Sequence, residues 1–274
     1  MKDVLAVLFT MLLAVTLVGC DSNDDNGDDQ PETAQVRFVH AAPDAGDVDV
    51  FLDDQEVAGD FSYKAPTPAD VEPNYSDYLD VPVDVDARID VRPTDSNENL
   101  LTVNVDQANL NANARYTVIV GGAQAANTEA PQIILLRDQF VDLPANSIGL
   151  RLVHASAIAQ DNAGPVDVYI TPPGTDLSQV DPLIPGFEFT QDSGTVSLGT
   201  SGAFIQRELS GEPQVVSVTA AGSAQAVVQV QIGGDGGLQI SEGQFVTGIA
   251  ADIPAAEGGL GIGAQAIIES APSN

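Results

Sequence analysis

The sequence predicts an all-β chain built as two tandem antiparallel β-sandwich domains, and three observations carry that expectation. A phrase occurs twice: Arg37-Phe38-Val39-His40-Ala41 followed by Val48-Asp49-Val50-Phe51 returns as Arg151-Leu152-Val153-His154-Ala155 followed by Val166-Asp167-Val168-Tyr169. The histidines lie 114 residues apart and the Val-Asp-Val runs 118, so the second copy carries a four-residue insertion. Repetition at this spacing is the mark of a duplicated domain. Second, Val83 to Arg92 alternates apolar and charged residues without a fault, which is the period of a strand with one face on a core. Third, no window shows an amphipathic helix, and Pro or Gly turns punctuate the chain at short intervals, as short strands in a sandwich require.

In chain order, residues 1–19 read as an address. Lys2 precedes an apolar run from Val4 to Val18, short for a membrane span and right for a signal-peptide core. The run ends in Leu17-Val18-Gly19-Cys20, which resembles the bacterial lipobox, and that resemblance implies a diacylglycerol on the Cys20 thiol. Cys20 is the single cysteine of the chain, so no disulfide is available. Several acyl chains on one residue anchor stably where one is marginal, at about 0.8 kcal/mol per buried CH₂. Residues 20–33 follow as an acidic tether. Asp21 to Gln30 holds five aspartates and no apolar residue, so it buries too little to offset its ordering entropy.

The first domain is expected at 34–142, a linker at 143–147 and the second domain at 148–274. Beyond Val83–Arg92, strands are expected at Leu101–Val105, Tyr116–Val120, Ile133–Leu136, Val215–Val218, Ala226–Ile232 and Ile262–Ile268. Gly233 to Gly237 reads as a hairpin turn and not a phosphate loop, because strand-like runs flank it and an Asp lies in its middle. The series Val39-His40-Ala41-Ala42-Pro43-Asp44-Ala45, Val48-Asp49-Val50-Phe51, Tyr75-Ser76-Asp77-Tyr78-Leu79 and Ala114-Arg115-Tyr116-Thr117-Val118 resembles a family of bacterial envelope proteins known as domain of unknown function 4397. The resemblance covers most of the first domain; the second lacks the Pro-Asp pair and matches more weakly. It implies tandem β-sandwiches on secreted or anchored proteins, with no established activity.

The repeated residues are the candidate site. As strand residues, Val36, Phe38 and His40 share a face, as do Leu150, Leu152 and His154, so each histidine is expected as a buried neutral imidazole bonded into the following loop, to Asp44 or a backbone carbonyl. The competing reading is a metal ligand or catalytic base. A zinc site needs three or four convergent ligands, and each domain offers one histidine and no thiol. On the opposite face, Arg37 with Asp49 and Arg151 with Asp167 are expected as cross-strand ion pairs, because the combination recurs.

Forty acids against nine bases give a net charge of −31, which excludes electrostatic capture of nucleic acid or anionic lipid. Asp44, Asp47, Asp53 and Asp54 are candidate calcium ligands, weighed against a solvated acidic surface; no EF-hand or nonapeptide calcium repeat is present. No nucleophile elbow, zinc-protease helix, P-loop or Rossmann fingerprint occurs, and without tryptophan a sugar platform is hard to build. The sequence therefore points to two tandem Ig-like antiparallel β-sandwiches on an acylated Cys20. They would serve a non-catalytic binding, adhesive or structural role at the cell envelope, on the periplasmic face or the outer surface, with a protein or glycan partner. The alternative is an envelope hydrolase or metal-dependent enzyme using carboxylates and the repeated histidine.

Overall fold

The computed structural model describes residues 32–66, 71–83, 88–104, 110–124, 126, 131–254 and 260–271. The signal segment, Cys20, the expected tether up to residue 31, and residues 84–87 of the alternating run lie outside the described residues; Thr33 of that expected tether already belongs to the first strand. Pro31–Asn274 forms one compact unit.

The first half supplies β1 (Thr33–Ala41), β2 (Val48–Leu52), β3 (Gln55–Phe61), β4 (Leu79–Pro82), β5 (Arg88–Pro93), β6 (Leu101–Asn104), β7 (Arg115–Gly121) and β8 (Gln132–Arg137). They form two four-stranded sheets, β4-β1-β7-β8 and β3-β2-β5-β6. Between them lies a core that includes Val36, Phe38, Val50, Ile89, Tyr116 and Val118. The second half supplies β9 (Ser147–Ala155), β10 (Val166–Thr171), β11 (Ile184–Phe187), β12 (Ile205–Glu208), β13 (Gln214–Ala220), β14 (Ala226–Ile232), β15 (Gln244–Pro254) and β16 (Leu260–Ser270). Its sheets, β12-β9-β15-β16 and β11-β10-β13-β14, repeat the first pair strand for strand.

Three features differ from the sequence expectation. The sheets are not wholly antiparallel: β1 runs parallel to β7, and β9 to β15. A parallel pair needs a crossover, and here the strands of the facing sheet provide it. The alternation from Val83 to Arg92 is not one strand. Val83 stands just past β4 of one sheet and Arg88–Arg92 lie in β5 of the other, with Val83 and Ile89 in the same core. Short helices also exist, at Ala157–Ala163 and Ser193–Leu198, each under three turns and too brief for a helical period to register. The first of these holds the four-residue insertion. Asp252 and Ser156 cap it: the carboxylate accepts from the Ala157 and Ile158 amides at 3.1 and 3.2 Å, and the Ser156 hydroxyl accepts from Ala159 N–H at 3.0 Å.

The outer faces of β1-β7-β8 and β9-β15-β16 are not solvent-facing. Val39, Ala41, Ile119, Ile134 and Leu136 of one sandwich form a single buried cluster with Val153, Ala155, Ile249, Ala251 and Ile267 of the other. The inner two sheets thus pack face to face and the chain stacks four sheets deep.

Candidate functional site

The repeated phrase lies at this junction, and the strand registers show why. Arg37 is level with Thr117 on β7, and Thr117 with Leu136 on β8; Arg151 is level with Thr247 on β15, and Thr247 with Ile267 on β16. Two residues past those last positions stand Asp138 and Glu269. Each arginine first donates Nε–H to its own threonine, at 2.9 Å for Arg37 and 3.2 Å for Arg151. Its terminal nitrogens then reach across to the other sandwich. Arg37 grips Glu269 through both, at 2.9 and 2.7 Å, and Arg151 meets Asp138 at 2.8 Å. The junction is therefore a pseudo-two-fold exchange of arginines.

The arginines are enclosed on their remaining sides as well. Arg151 lies over the Phe204 ring at 4.5 Å and Arg37 over Tyr78 at 4.9 Å. Asp138 also accepts from the Thr117 hydroxyl at 2.7 Å and the Tyr78 hydroxyl at 2.8 Å. Burial beside Asp138 pushes the Tyr78 phenol well above its ordinary range, so it is a donor at any ordinary pH. Arg151 and Asp138 are fully buried in their pair, which makes each indispensable to the other.

Two extended segments strap the sandwiches together. From the β3–β4 connection, Tyr63 donates its hydroxyl to the Asp252 carbonyl at 3.0 Å, Lys64 O accepts from Gln265 Nε2 at 2.9 Å, and Val71 O accepts from Ala266 N–H at 2.8 Å on the β16 edge. The equivalent β11–β12 connection lies along β8. Gly202 approaches Arg137 so closely that an added Cβ would come within 2.3 Å of its backbone, and the Gly202 carbonyl accepts from Arg151 at 3.0 Å. Each strap covers an edge strand of the other sandwich, which closes it to further pairing.

The expected Arg37–Asp49 and Arg151–Asp167 pairs are not formed. Each arginine is on the sheet that faces the junction and each aspartate on the sheet beyond, and packed sheets are separated by about 10 Å. The aspartates have their own repeated task. Asp49 accepts from Asp60 N–H at 2.8 Å and the Thr94 hydroxyl at 2.9 Å; Asp167 accepts from Gly186 N–H at 2.8 Å and Gly222 N–H at 2.7 Å. Asp60 and Gly186 both take positive φ, at 51° and 60°, where the register of the neighbouring edge strand shifts. Each Val-Asp-Val aspartate holds a β-bulge in place.

Both histidines are fully buried. His40 Nε2–H donates to the Gly46 carbonyl at 2.8 Å and Nδ1 accepts Ala42 N–H at 3.3 Å, an arrangement that requires the neutral ring. His154 Nδ1 accepts Ser156 N–H at 3.3 Å, but Nε2 has no hydrogen-bond partner among the described residues. The inserted helix stands where the Gly46 turn stands in the first copy, and the carbonyl partner goes with it. Burial lowers both imidazole pKa values, that of His154 to about 4.

The calcium candidates divide between the two ends of β2. Asp44 and Asp47 precede the strand and Asp53 and Asp54 follow it, roughly 17 Å away at about 3.3 Å per residue. Asp44 accepts from Gln124 N–H and Asp53 from Arg88 N–H, both at 2.8 Å, while Asp54 bridges Arg88 and Arg92. Among the described residues no three acids or histidines gather as a metal-holding group.

Glu269, Asp138, Thr117 and Thr247, the other half of the junction, were missed in the sequence. Their one signal was an acid just beyond the apolar run of each strand, Asp138 two positions after Leu136 and Glu269 directly after Ile268.

The fold and junction define a tandem all-β protein of two sandwiches fused along their inner sheets. Residues 34–169 match the family described as a domain of unknown function (DUF4397), and the chain resembles that family across this stretch. The match takes in the first sandwich from Ala34 onward, β9, and β10 as far as Tyr169. No curated protein matches the chain.

Proposed function

We propose that the chain is a lipid-anchored, extracytoplasmic envelope protein whose two sandwiches act as one rigid, non-catalytic binding, adhesive or structural module. The observation that carries this reading is the junction itself. The chemistry-bearing residues that recur in the sequence are consumed in holding the molecule together: Arg37 and Arg151 in exchanged ion pairs, Asp49 and Asp167 in bulges, His40 and His154 inside the fold. A relay for hydrolysis would need an accessible base, and both imidazoles are enclosed and held neutral. The acid excess serves as a solvated coat that keeps the module apart from anionic headgroups.

Metabolic labelling with an alkyne fatty acid tests the anchor: the native chain takes the label and Cys20→Ser does not. Label retained on the variant would remove Cys20 from the reading. Calorimetric titration of Pro31–Asn274 with Ca²⁺ tests the coat, with no stoichiometric heat expected; a saturable one-to-one response would turn the acids into ligands.

A further inference from the structure

The two sandwiches differ most in what fills them. With Arg37 equivalent to Arg151, Thr117 to Thr247 and Leu136 to Ile267, the core-facing residues Phe38, Tyr116, Val118, Val120, Ile133 and Leu135 of the first become Leu152, Val246, Gly248, Ala250, Ala264 and Ala266 of the second. All six replacements are smaller. On the facing sheet Ile89 and Leu101 become the smaller Val216 and Val228 and Val50 is kept as Val168; Ala58, opposite Val50, becomes the larger Ile184, and Val36 beside Tyr116 becomes Leu150, which offsets part of the loss. The first sandwich retains a void of only about 20 Å³. The second holds an apolar cavity of about 70 Å³ between its sheets, bordered by Leu152, Val168, Phe187 and Val218. Past Val71, Val230, Leu238 and Ala266, which border both spaces, the cavity meets an open cleft of about 910 Å³ where β14 and β16 part. Gln229, Gln231 and Gln239 line that cleft.

We infer that the second sandwich binds a single-chain amphiphile with an uncharged head, the end of its alkyl tail between the sheets and its head among the glutamines. A cavity lined by aliphatic side chains stays dry and takes carbon in preference to water. Its size selects the shape of that carbon. A cavity of about 150 Å³ is known to hold a benzene ring, and this one is half as large, so it suits the end of an unbranched chain better than a ring. Gln229 and Gln231 each donate once within the protein, to Ser217 and the Gly233 carbonyl, and Gln239 donates to the Gly234 and Gly237 carbonyls, so the cleft offers chiefly carboxamide oxygens, which accept from the hydroxyls of a head. Among the described residues no arginine or lysine lines the cleft, Glu72 does, and the chain carries a net charge of −31, so a carboxylate or phosphate head is disfavoured there. The inference goes beyond the module proposed above and holds whether or not Cys20 is acylated.

Isothermal titration of Pro31–Asn274 with monomeric 1-monodecanoylglycerol, beside decanoate at pH 7.5, tests it. Saturable one-to-one binding of the glyceride is expected, with decanoate at least tenfold weaker. Ala266→Leu restores the residue that Leu135 supplies in the first sandwich, and it should weaken glyceride binding tenfold or more without lowering the melting temperature. Ala264→Val is the smaller fill if the first variant does not fold. Absence of saturable glyceride binding, or unchanged binding by a folded filled variant, overturns the site; equal binding of decanoate overturns the uncharged head.

Discussion

Replacing Arg151 by Met removes the charge at the centre of the junction while keeping an unbranched side chain against Phe204, and its cost follows from what it strands. Arg151 and Asp138 are both fully buried at 2.8 Å, and removing one member of such a pair costs about 3–5 kcal/mol, because the other is left charged and out of water. Asp138 retains two donors, the Thr117 and Tyr78 hydroxyls, so the lower end, about 3 kcal/mol, is expected. Urea unfolding of Pro31–Asn274 followed by circular dichroism measures it, with Asp138→Asn closing a double-mutant cycle. The coupling should exceed about 1 kcal/mol, as it does for residues in one buried network. Asp54→Ala, which cuts an exposed pair, should leave the midpoint unmoved. Because the sandwiches share a core cluster, the native protein should unfold in one transition. An Arg151→Met cost under about 1 kcal/mol, or separate unfolding of the two halves of the native chain, would refute the argument that this contact locks them.

Three further outcomes are expected. The folded pKa of His154, about 4, lies below its unfolded value of 6.5, so the unfolded state binds the extra proton and stability is lost as pH falls through 6.5 towards 4. At about 1.36 kcal/mol per pKa unit, roughly 2–3 kcal/mol should disappear between pH 7.5 and 4.5, and urea midpoints of His154→Gln should lack that part of the slope. Gly121→Val should destabilise by about 1–3 kcal/mol and speed hydrogen exchange in β7 and β9, since a Cβ at 121 would come within 2.9 Å of the Ala155 methyl; unchanged exchange would mean that the sheets are not in contact there. Asp167→Ala removes the acceptor of the Gly186 and Gly222 amides, both on exposed residues that water can reach, and should cost about 1–3 kcal/mol in the same urea assay, at about 0.5–1.5 kcal/mol for each hydrogen bond lost; a cost near zero would mean that the bulge needs no clamp.

Much of the fold was legible because alternation and duplication are local signals. The strand patterns at Ala226–Ile232 and around Tyr116 and Ile133 became β14, β7 and β8. The burial of His40 followed from its parity with Val36 and Phe38, and its carbonyl partner from the loop behind it. What failed was the partner of each arginine. Parity places Arg37 on the face opposite Phe38, and in one isolated sandwich that face is water, where an aspartate of the same motif is the natural mate. Here that face is a junction, and the mate comes from β16, 232 residues away. Register within a strand is a property of neighbours in sequence; contact between two outer faces is a property of the whole stack, and no run of residues records it. The lost partner of His154 is a milder case: the four-residue insertion was visible, but not that it would fold as a helix and displace the carbonyl.

A junction in which Arg37 meets Glu269 and Arg151 meets Asp138 has the self-complementary form of a two-fold dimer, with the two copies joined in one chain. Such an arrangement lets the copies diverge inside while remaining alike outside. Val39, Ala41, Ile119 and Leu136 at the junction meet close equivalents in Val153, Ala155, Ile249 and Ile267, whereas on the inner face of the second copy six residues shrink and Val36 grows, to Leu150. At about 24 cal/mol per Å³, a cavity of about 70 Å³ costs roughly 1.7 kcal/mol. That is less than the roughly 3 kcal/mol at stake in the Arg151–Asp138 contact alone. The second sandwich can therefore carry an unfilled core because its fold is held from outside, by the arginines it exchanges and the strap it receives. This orders the tests: a variant that fills the cavity should gain stability with the junction intact, and the same fill should offset about half of the loss in Arg151→Met.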